Sequence, residues 1–291
     1  LSIAAENGIN FLDTSRMYGS SERVLGKAIA ETGTDFIICT KLDLPAGFAG
    51  MKDSELKAAV YDSFERSREA LRLDTIPIYL LHNFDYYTAA GGYVWELLRE
   101  IREGGAVTSL GVSIGRGPDE ALTCLDDETV RVIQIPFNVL DQRWKAGGVL
   151  QKGRQRDVVV INRSTYLQGL LLMDPAEAGG IVPEAKTRIE RLRDISRSSA
   201  IPVKELGFRY AAGHPLIDTT IIGVDSSEQL RENLAIMGKG RLDDDVIGMI
   251  ETAFIDSPDE LVNPALWNIG YAPPEDEGDG EGEDDQREGI S

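Results

Sequence analysis

Four side chains with complementary acid–base chemistry stand at the ends of three apolar segments and in the turn after the first. Asp13 follows INFL, Lys41 follows FIICT and His82 follows IPIYLL, while Tyr18 lies five residues after Asp13. An ammonium group is costly to bury without a partner, so Lys41 predicts an ion pair, with Asp13 as the candidate carboxylate. A tyrosine hydroxyl donates its proton poorly at neutral pH, but a neighbouring ammonium stabilises the phenolate and makes the hydroxyl a stronger acid.

Together these four groups could protonate an alkoxide as a cofactor delivers hydride to a carbonyl. Tyr18 would be the general acid, and His82 would orient the carbonyl oxygen by hydrogen bonding. Lys41 would activate Tyr18, and Asp13 would hold Lys41 in place. The simpler interpretation is a structural ion pair with an unrelated tyrosine and histidine. Convergence of all four favours a functional site, because clustered titratable groups usually mark one.

Seven short apolar segments are predicted strands, and helical segments separate them. The strands cover residues 9–13, 36–41, 76–82, 107–113, 130–136, 158–162 and 219–223. The helices cover the end of residues 1–8, then 21–31, 54–71, 95–103, 118–124, 148–154, 184–198, 203–212, 227–235 and 244–254. This alternation predicts a parallel sheet covered by helices. An open doubly wound sheet and a closed (β/α)8 barrel both satisfy it.

The absence of a glycine-rich turn decides between these two architectures. No G-x-G-x-x-G sequence follows any of the predicted strands, which disfavours an open dinucleotide-binding sheet. The predicted fold class is therefore α/β, a TIM (β/α)8 barrel, in which the carboxyl ends of all strands meet at one mouth. Asp13, Lys41 and His82 would then lie side by side at that mouth.

The stretch GINFLDTSRMYGSSERVLGKAI, residues 8–29, resembles the signature of the aldo-keto reductase family. TKL and YLLH resemble the family's lysine and histidine segments, and the likeness covers about residues 1–256. The resemblance implies a TIM barrel that binds NADPH without a Rossmann domain, and a catalytic tetrad of Asp13, Tyr18, Lys41 and His82. It implies an NAD(P)H-dependent oxidoreductase that reversibly reduces an aldehyde, ketone or sugar carbonyl, with Tyr18 as the proton donor.

The resemblance extends to segments that would hold the cofactor. GVS implies that Ser113 contacts the nicotinamide amide, and VIQIPFN implies the same for Gln134. Arg163 occupies the place where many members stack an aromatic ring on the nicotinamide, and a guanidinium plane can also stack. IIGVDSSEQLRENL implies an adenosine-phosphate site whose residues are Gly223, Ser226, Ser227, Gln229 and Asn233.

Two substitutions leave the cofactor, NADP or NAD, open. Gln229 stands where some members aim an arginine at the 2′-phosphate, and Asp225 nearby would repel that group. Ile114 stands where an asparagine usually follows the serine of GVS, which removes one contact to the nicotinamide amide.

The predicted barrel apparently lacks the family's first strand, because the chain begins just before the second. Seven strands cannot close an eight-stranded barrel without an unpaired edge, so either the sequence is a fragment or another segment fills the gap. The predicted organisation is an incomplete barrel over residues 1–256 and a C-terminal extension over residues 257–274. An acidic tail over residues 275–291 is predicted to be disordered.

Composition excludes several classes of protein. The formal charge of −19 argues against a nucleic-acid surface; the tail, with nine acids and one arginine, holds −8 of it and leaves −11 for the remainder. No apolar run approaches the ~20 residues that span a bilayer, and the first residues of the sequence do not predict a signal peptide. Two cysteines make no disulfide framework, so a cytoplasmic protein is predicted. We assign no metal ligands.

A second class of function stays open beside the enzyme. The family's ion-channel β subunits show that the same barrel can act as a non-catalytic, cofactor-binding regulatory protein. The complete tetrad favours the enzyme, whereas the missing strand and the altered nicotinamide contacts favour the alternative. The predicted partner is a small-molecule carbonyl or sugar, whose identity the sequence does not reveal, and the oligomeric state is equally open.

Overall fold

The computed structural model describes residues 1–267, in which seven parallel strands form a nearly closed barrel. The strands are β1 (Phe11–Asp13), β2 (Ile37–Leu42), β3 (Ile76–Leu81), β4 (Val107–Ser113), β5 (Val132–Pro136), β6 (Val159–Arg163) and β7 (Thr219–Thr220). Their order in the sheet follows their order in the chain, and every neighbouring pair is parallel. This is the strand order of a TIM barrel, so the predicted fold class is confirmed.

Helices cover the outside of the sheet. They are α1 (Ser2–Glu6), α2 (Ser21–Thr32), α3 (Asp53–Leu71), α4 (Phe84–Thr88), α5 (Tyr93–Glu103), α6 (Pro118–Asp126), α7 (Arg143–Ala146), α8 (Val149–Gln155), α9 (Pro175–Ile181), α10 (Ala185–Ser199), α11 (Val203–Ala212), α12 (Ser227–Met237), α13 (Asp244–Phe254) and α14 (Asp259–Val262). Short 3-10 turns occur at Phe48–Gly50, Ala89–Gly92, Leu170–Leu172 and Pro264–Leu266. The predicted helices are present with ends within two residues; the sequence missed α4, α7, α9 and α14.

A small apolar cluster fills the centre of the barrel and sets the position of the polar residues above it. Its members are Phe11, Cys39, Ile78, Leu80, Val132, Ile161 and Ile221. Side chains alternate between the two faces of a strand, so a residue two positions later returns to the interior, one layer nearer the mouth. Those positions hold Asp13, Lys41, His82, Gln134, Arg163 and Gly223, and Ser113 has the same relation to Gly111. The packing of the barrel interior therefore places these strand-end residues in one layer.

The main core lies between the outer face of the strands and the helices. Outward side chains such as Leu81 and Val112 pack with helix residues such as Phe64 of α3 and Leu97 of α5, all buried. Strands β2 to β6 are thus buried on both faces along most of their length, which agrees with their nearly continuous apolar sequences.

One seam of the barrel is open within the described residues. β1 pairs with β2 and β7 pairs with β6, but β1 and β7 do not pair with each other. The last strand was predicted over residues 219–223, and the structure limits it to Thr219–Thr220. The backbone N–H of Ile221 still donates to the carbonyl of Asn162 at 2.8 Å. However, β6 ends at Arg163, and among the described residues no strand pairs with the other edge of β7.

The first part of the predicted C-terminal extension packs onto the barrel. Leu261, Val262 and Trp267 join the main core, and the indole of Trp267 donates to the carbonyl of Glu260 at 3.0 Å. Residues 268–274 and the predicted tail, residues 275–291, lie outside the described residues. Between residues 1 and 267, no helix has the length and apolarity needed to cross a membrane.

Gly111 generates a prediction about the strands that carry the site. A Cβ atom at this position would lie 2.0 Å from the carbonyl oxygen of Val132 in β5, so Gly111→Ala must push β4 and β5 apart. We expect a loss of about 1–3 kcal/mol in the free energy of unfolding, the range of core overpacking, measured by urea denaturation. Gly248→Ala in α13 is the control, since no atom lies within 4 Å of the added carbon. Equal stability of the two variants would contradict the close approach.

Candidate active site

Lys41 and Asp13 form an ion pair at the carboxyl ends of β2 and β1. The ammonium Nζ lies 2.7 Å from Oδ2 of Asp13, and the two side chains are only 1% and 10% exposed. Nζ also donates to the carbonyl oxygen of Thr14 at 2.9 Å. A buried ammonium is tolerated when its donors are paired in this way. The ion pair predicted from the sequence is confirmed.

The second carboxylate oxygen of Asp13 is bound by Gln134. The Gln134 amide Nε2 donates to Oδ1 of Asp13 at 2.8 Å, and the Ser113 hydroxyl donates to Oε1 of Gln134 at 3.3 Å. A carboxylate only accepts hydrogen bonds, so Asp13 fixes the orientation of the amide. Ser113 and Gln134, which the sequence assigns to the nicotinamide amide, are thus also linked to the ion pair.

Tyr18 stands above this network at the mouth. Its side chain is 51% exposed, and Nζ of Lys41 lies 5.4 Å from the centre of its ring. The His82 ring is nearly perpendicular to it, with 6.0 Å between the ring centres. The structure therefore brings together all four residues of the predicted tetrad; their catalytic role stays a prediction.

His82 is held at one of its ring nitrogens by Ser15. Nδ1 lies 3.1 Å from the Ser15 hydroxyl, which also accepts from the backbone N–H of Met17 at 3.2 Å. Burial, together with the smaller effects of the Lys41 and Arg163 charges, lowers the pKa of His82 to about 4. The ring is therefore neutral at pH 7. If the Ser15 hydroxyl donates to Nδ1, the single ring proton resides on Nε2.

Sequence reasoning missed Ser15 and Glu22. Glu22, in the first turn of α2, is buried; it accepts from the Thr40 hydroxyl at 2.7 Å and pairs with Arg16 at 3.3 Å. It thereby ties the turn that carries Tyr18 to β2. Ser20 is the N-cap residue of α2, but its side chain makes no capping hydrogen bond. A buried glutamate is unusual, and nothing in the local sequence marks it as buried.

A cavity of about 470 Å³ adjoins His82, the member of the predicted tetrad that contributes to its wall. His82, Ser113 and Arg163 line one side of it, and residues 262–265 of the C-terminal extension line another. The extension is thus part of the cavity wall, which its position in the sequence does not indicate.

Arg163 also lines this cavity, and its guanidinium makes only weak hydrogen bonds within the described residues. Its guanidinium donates to the carbonyl of Ile114 at 3.4 Å and to the hydroxyl of Ser164 at 3.3 Å, both long for such bonds. Burial lowers the pKa of Arg163, and the nearby Tyr18, Asp13 and Asp141 partly offset that effect.

The loop after β7 and the helix α12 that follows it carry the remaining predicted cofactor residues. Gly223, Ser226, Ser227 and Gln229 are exposed, and the Ser226 hydroxyl accepts from the backbone N–H of Gln229 at 3.2 Å, which caps α12. Asn233 is buried, and its Oδ1 has no hydrogen-bond partner. Such orphaned buried oxygens are rare in proteins. This one fits a ligand that brings a donor, such as the amino group of an adenine ring.

Comparisons with known proteins identify the class of this barrel. A model described as the aldo/keto reductase family matches residues 1–254. The chain belongs to the aldo/keto reductase family, and it is an NAD(P)-dependent oxidoreductase. Members of this family act on small-molecule carbonyl substrates with a nicotinamide cofactor.

Relatives from several organisms share most of the chain. It is 25% identical over 262 residues to the uncharacterized oxidoreductase YqkF of Bacillus subtilis, covering 86% of this chain and 84% of that protein. It is 27% identical over 242 residues to L-galactose dehydrogenase of Arabidopsis thaliana, covering 78% and 73%. The holo form of aldo-keto reductase AKR11C1 from Bacillus halodurans has the same fold, with a TM-score of 0.71 at 23% identity over 87% of this chain and 85% of that one.

The contact between Ser15 and His82 generates a testable prediction. In Ser15→Ala, Nδ1 of His82 loses its partner, so the ring should become a mixture of tautomers and turnover should fall about tenfold, the scale of one hydrogen bond. The tautomers are measured by ¹⁵N NMR, which is simple to assign because the chain has two histidines. The control is Ser21→Ala, which removes a hydroxyl from the same region, where it bonds Thr14 and not His82. An unchanged tautomer ratio in Ser15→Ala would contradict the positioning role.

Proposed function

We propose that this oxidoreductase reversibly reduces an aldehyde, ketone or sugar carbonyl with NADPH or NADH, and that Tyr18 donates the proton. One observation carries the proposal. The half-exposed ring of Tyr18 stands over the buried ammonium of Lys41 and against the neutral ring of His82, beside a cavity that can admit a small substrate. A donor, a group that stabilises its anion and an orienting imidazole are thereby available to one carbonyl oxygen.

The residues of the tetrad have separate roles in this proposal. The neutral His82 directs its Nε2 proton at the carbonyl oxygen and holds it next to the Tyr18 hydroxyl. Tyr18 transfers its proton to that oxygen, and the ammonium of Lys41 stabilises the phenolate that is left. Asp13 keeps Lys41 in position through the 2.7 Å ion pair. When bound, the nicotinamide cofactor supplies the hydride.

Ser113 and Gln134 can bind the nicotinamide amide without releasing Asp13. The Gln134 amide uses one of its two N–H donors on Asp13 and one of its two oxygen lone pairs on Ser113. One N–H donor and one oxygen lone pair of Gln134 stay available. A carboxamide can bind both, because it carries one acceptor oxygen and an amino group that donates. Arg163 is proposed to contact the nicotinamide ring, since it lines the cavity together with His82 and Ser113.

The function is tested by measuring oxidation of NADPH and NADH with a panel of aldehydes, ketones and sugars, and the reverse reaction with the matching alcohols. Sugars belong in the panel because L-galactose dehydrogenase is among the relatives. We expect turnover with at least one carbonyl class. Tight cofactor binding without turnover of any substrate would instead support the non-catalytic regulatory alternative.

Tyr18→Phe tests the proton donor. Loss of the hydroxyl should lower turnover by about 10²-fold or more, the usual contribution of a positioned acid. Cofactor affinity, measured by fluorescence titration, should stay near that of the wild type, because the ring itself is retained. Tyr61→Phe is the control, since its hydroxyl bonds Glu100 on the exposed outer surface. Wild-type turnover in Tyr18→Phe would overturn the assignment.

Asp225→Ser tests the choice between the two cofactors. The exposed loop after β7 offers backbone donors and the start of α12 to a phosphate, but it also carries Asp225, whereas the nearest following cation is Arg231. Two like charges about 4 Å apart in water repel by about 1 kcal/mol. We therefore expect weak discrimination in the wild type and a shift of about fivefold toward NADPH in the variant.

The measurement for this variant is the pair of dissociation constants for NADPH and NADH. Asp245→Ser in α13 is the matched control, an exposed aspartate on a helix other than α12. A wild type that prefers NADPH by a hundredfold would contradict the prediction, because a cation would then have to reach the 2′-phosphate.

A further inference from the structure

We infer that Arg163 makes the bound cofactor more stable in its reduced form than in its oxidised form, and so favours carbonyl reduction. The inference rests on the proposed function and extends it to the direction of the reaction. It begins with an uncompensated charge. Among residues 1–267, no carboxylate lies within ion-pair distance of the Arg163 guanidinium, whose partners are a carbonyl and a hydroxyl at 3.4 and 3.3 Å.

The two carboxylates whose charges act on Arg163 are those of Asp13 and Asp141, and each is already paired with another cation. Asp13 is paired with Lys41 at 2.7 Å. Asp141 is paired with Arg143 at 2.9 Å and also accepts from the indole of Trp144. The layer that holds Asp13, Lys41, His82, Gln134 and Arg163 therefore retains about one positive charge, which is that of Arg163. The other charged residues that line the cavity, Arg116 and Glu120, form an ion pair with each other at 3.5 Å. A guanidinium stays protonated at neutral pH even when its environment disfavours the charge.

The geometry of hydride transfer places the nicotinamide ring near this charge. The reacting atoms must approach to about 3–3.5 Å, and the carbonyl oxygen is to be held by Tyr18 and His82. The ring must therefore enter the space that adjoins His82. That space is the cavity of about 470 Å³ whose wall includes Arg163 and Ser113.

The two forms of the cofactor differ in the charge of this ring. The oxidised ring is a cation and the reduced ring is neutral, so Arg163 repels one and not the other. In carbonyl reduction, the hydride takes two electrons to the carbonyl carbon and Tyr18 gives a proton to the oxygen, which leaves an alcohol and the oxidised ring. Two like charges near contact change an equilibrium by about fivefold in water and by more in a partly dry cavity. We expect an effect of at least about fivefold.

The test is the ratio of the dissociation constants of the oxidised and reduced cofactor, measured by fluorescence titration or calorimetry without substrate. The wild type should bind the reduced form at least about fivefold more tightly. In Arg163→Gln that preference should fall by at least the same factor. Arg163→Lys is the matched control, because it keeps the charge and should keep the preference. A wild type without the preference, or a Gln variant that retains it, overturns the inference.

A second measurement reports the same charge without any cofactor. Burial is the main cause of the low pKa of His82, and the charges of Lys41 and Arg163 add to it. Arg163→Gln should therefore raise that pKa above about 4 in an NMR titration, while Arg163→Lys should leave it low. If the pKa of His82 is unchanged in Arg163→Gln, the charge of Arg163 has no electrostatic effect at the cavity, and the inference is wrong.

The two proposals fail in different ways. If the wild type does not oxidise NADPH or NADH with any carbonyl, the proposed function fails. If it does so but the binding ratio is independent of the charge at Arg163, the proposed function stands and only the inference on direction is wrong.

Discussion

The burial of a lysine ammonium at the mouth of the barrel is the constraint on which the site depends. Lys41 is almost inaccessible to solvent, so its charge needs a carboxylate, and Asp13 supplies it. Asp13 in turn engages Gln134, and Gln134 engages Ser113. Residues on four strands, β1, β2, β4 and β5, are thus linked by hydrogen bonds that each satisfy a buried polar group. This hydrogen-bond network holds the reactive groups in place, because a buried network that is only partly satisfied is strongly disfavoured.

Next to this buried hydrogen-bond network lie side chains whose polar groups are still available to a ligand. Tyr18 is half exposed, and Arg163 has weak neutral partners. The neutral His82 is fixed at Nδ1 by Ser15, which leaves Nε2 for a ligand. The buried charges of Lys41 and Asp13 are paired with each other, whereas a proton donor, an orienting ring and the cation of Arg163 are available to incoming molecules. This division agrees with an enzyme that keeps its framework rigid and leaves its reacting groups accessible.

The sequence predicted correctly that Asp13, Lys41 and His82 lie together, because these three residues obey rules of local backbone geometry. Asp13, Lys41 and His82 each follow an inward apolar residue by two positions, and parallel strands deliver such positions to one mouth. Long helices with clear apolar periodicity were predicted to within two residues. Four of the six helices of seven residues or fewer, α4, α7, α9 and α14, were missed, because such short segments contain too few turns to show a clear period.

What the sequence by itself determined is therefore the alternation of strands and helices and the layer in which the candidate residues lie. Only the tertiary structure decided which neighbours those residues meet. Ser15 contacts His82 across 67 positions of the chain, Glu22 joins Thr40 across 18, and residues 262–265 wall the cavity from beyond the last barrel helix. The lack of a carboxylate partner for Arg163 among residues 1–267 was equally decided in space. Periodicity is a property of consecutive residues, whereas contacts, burial and charge compensation depend on how distant segments pack.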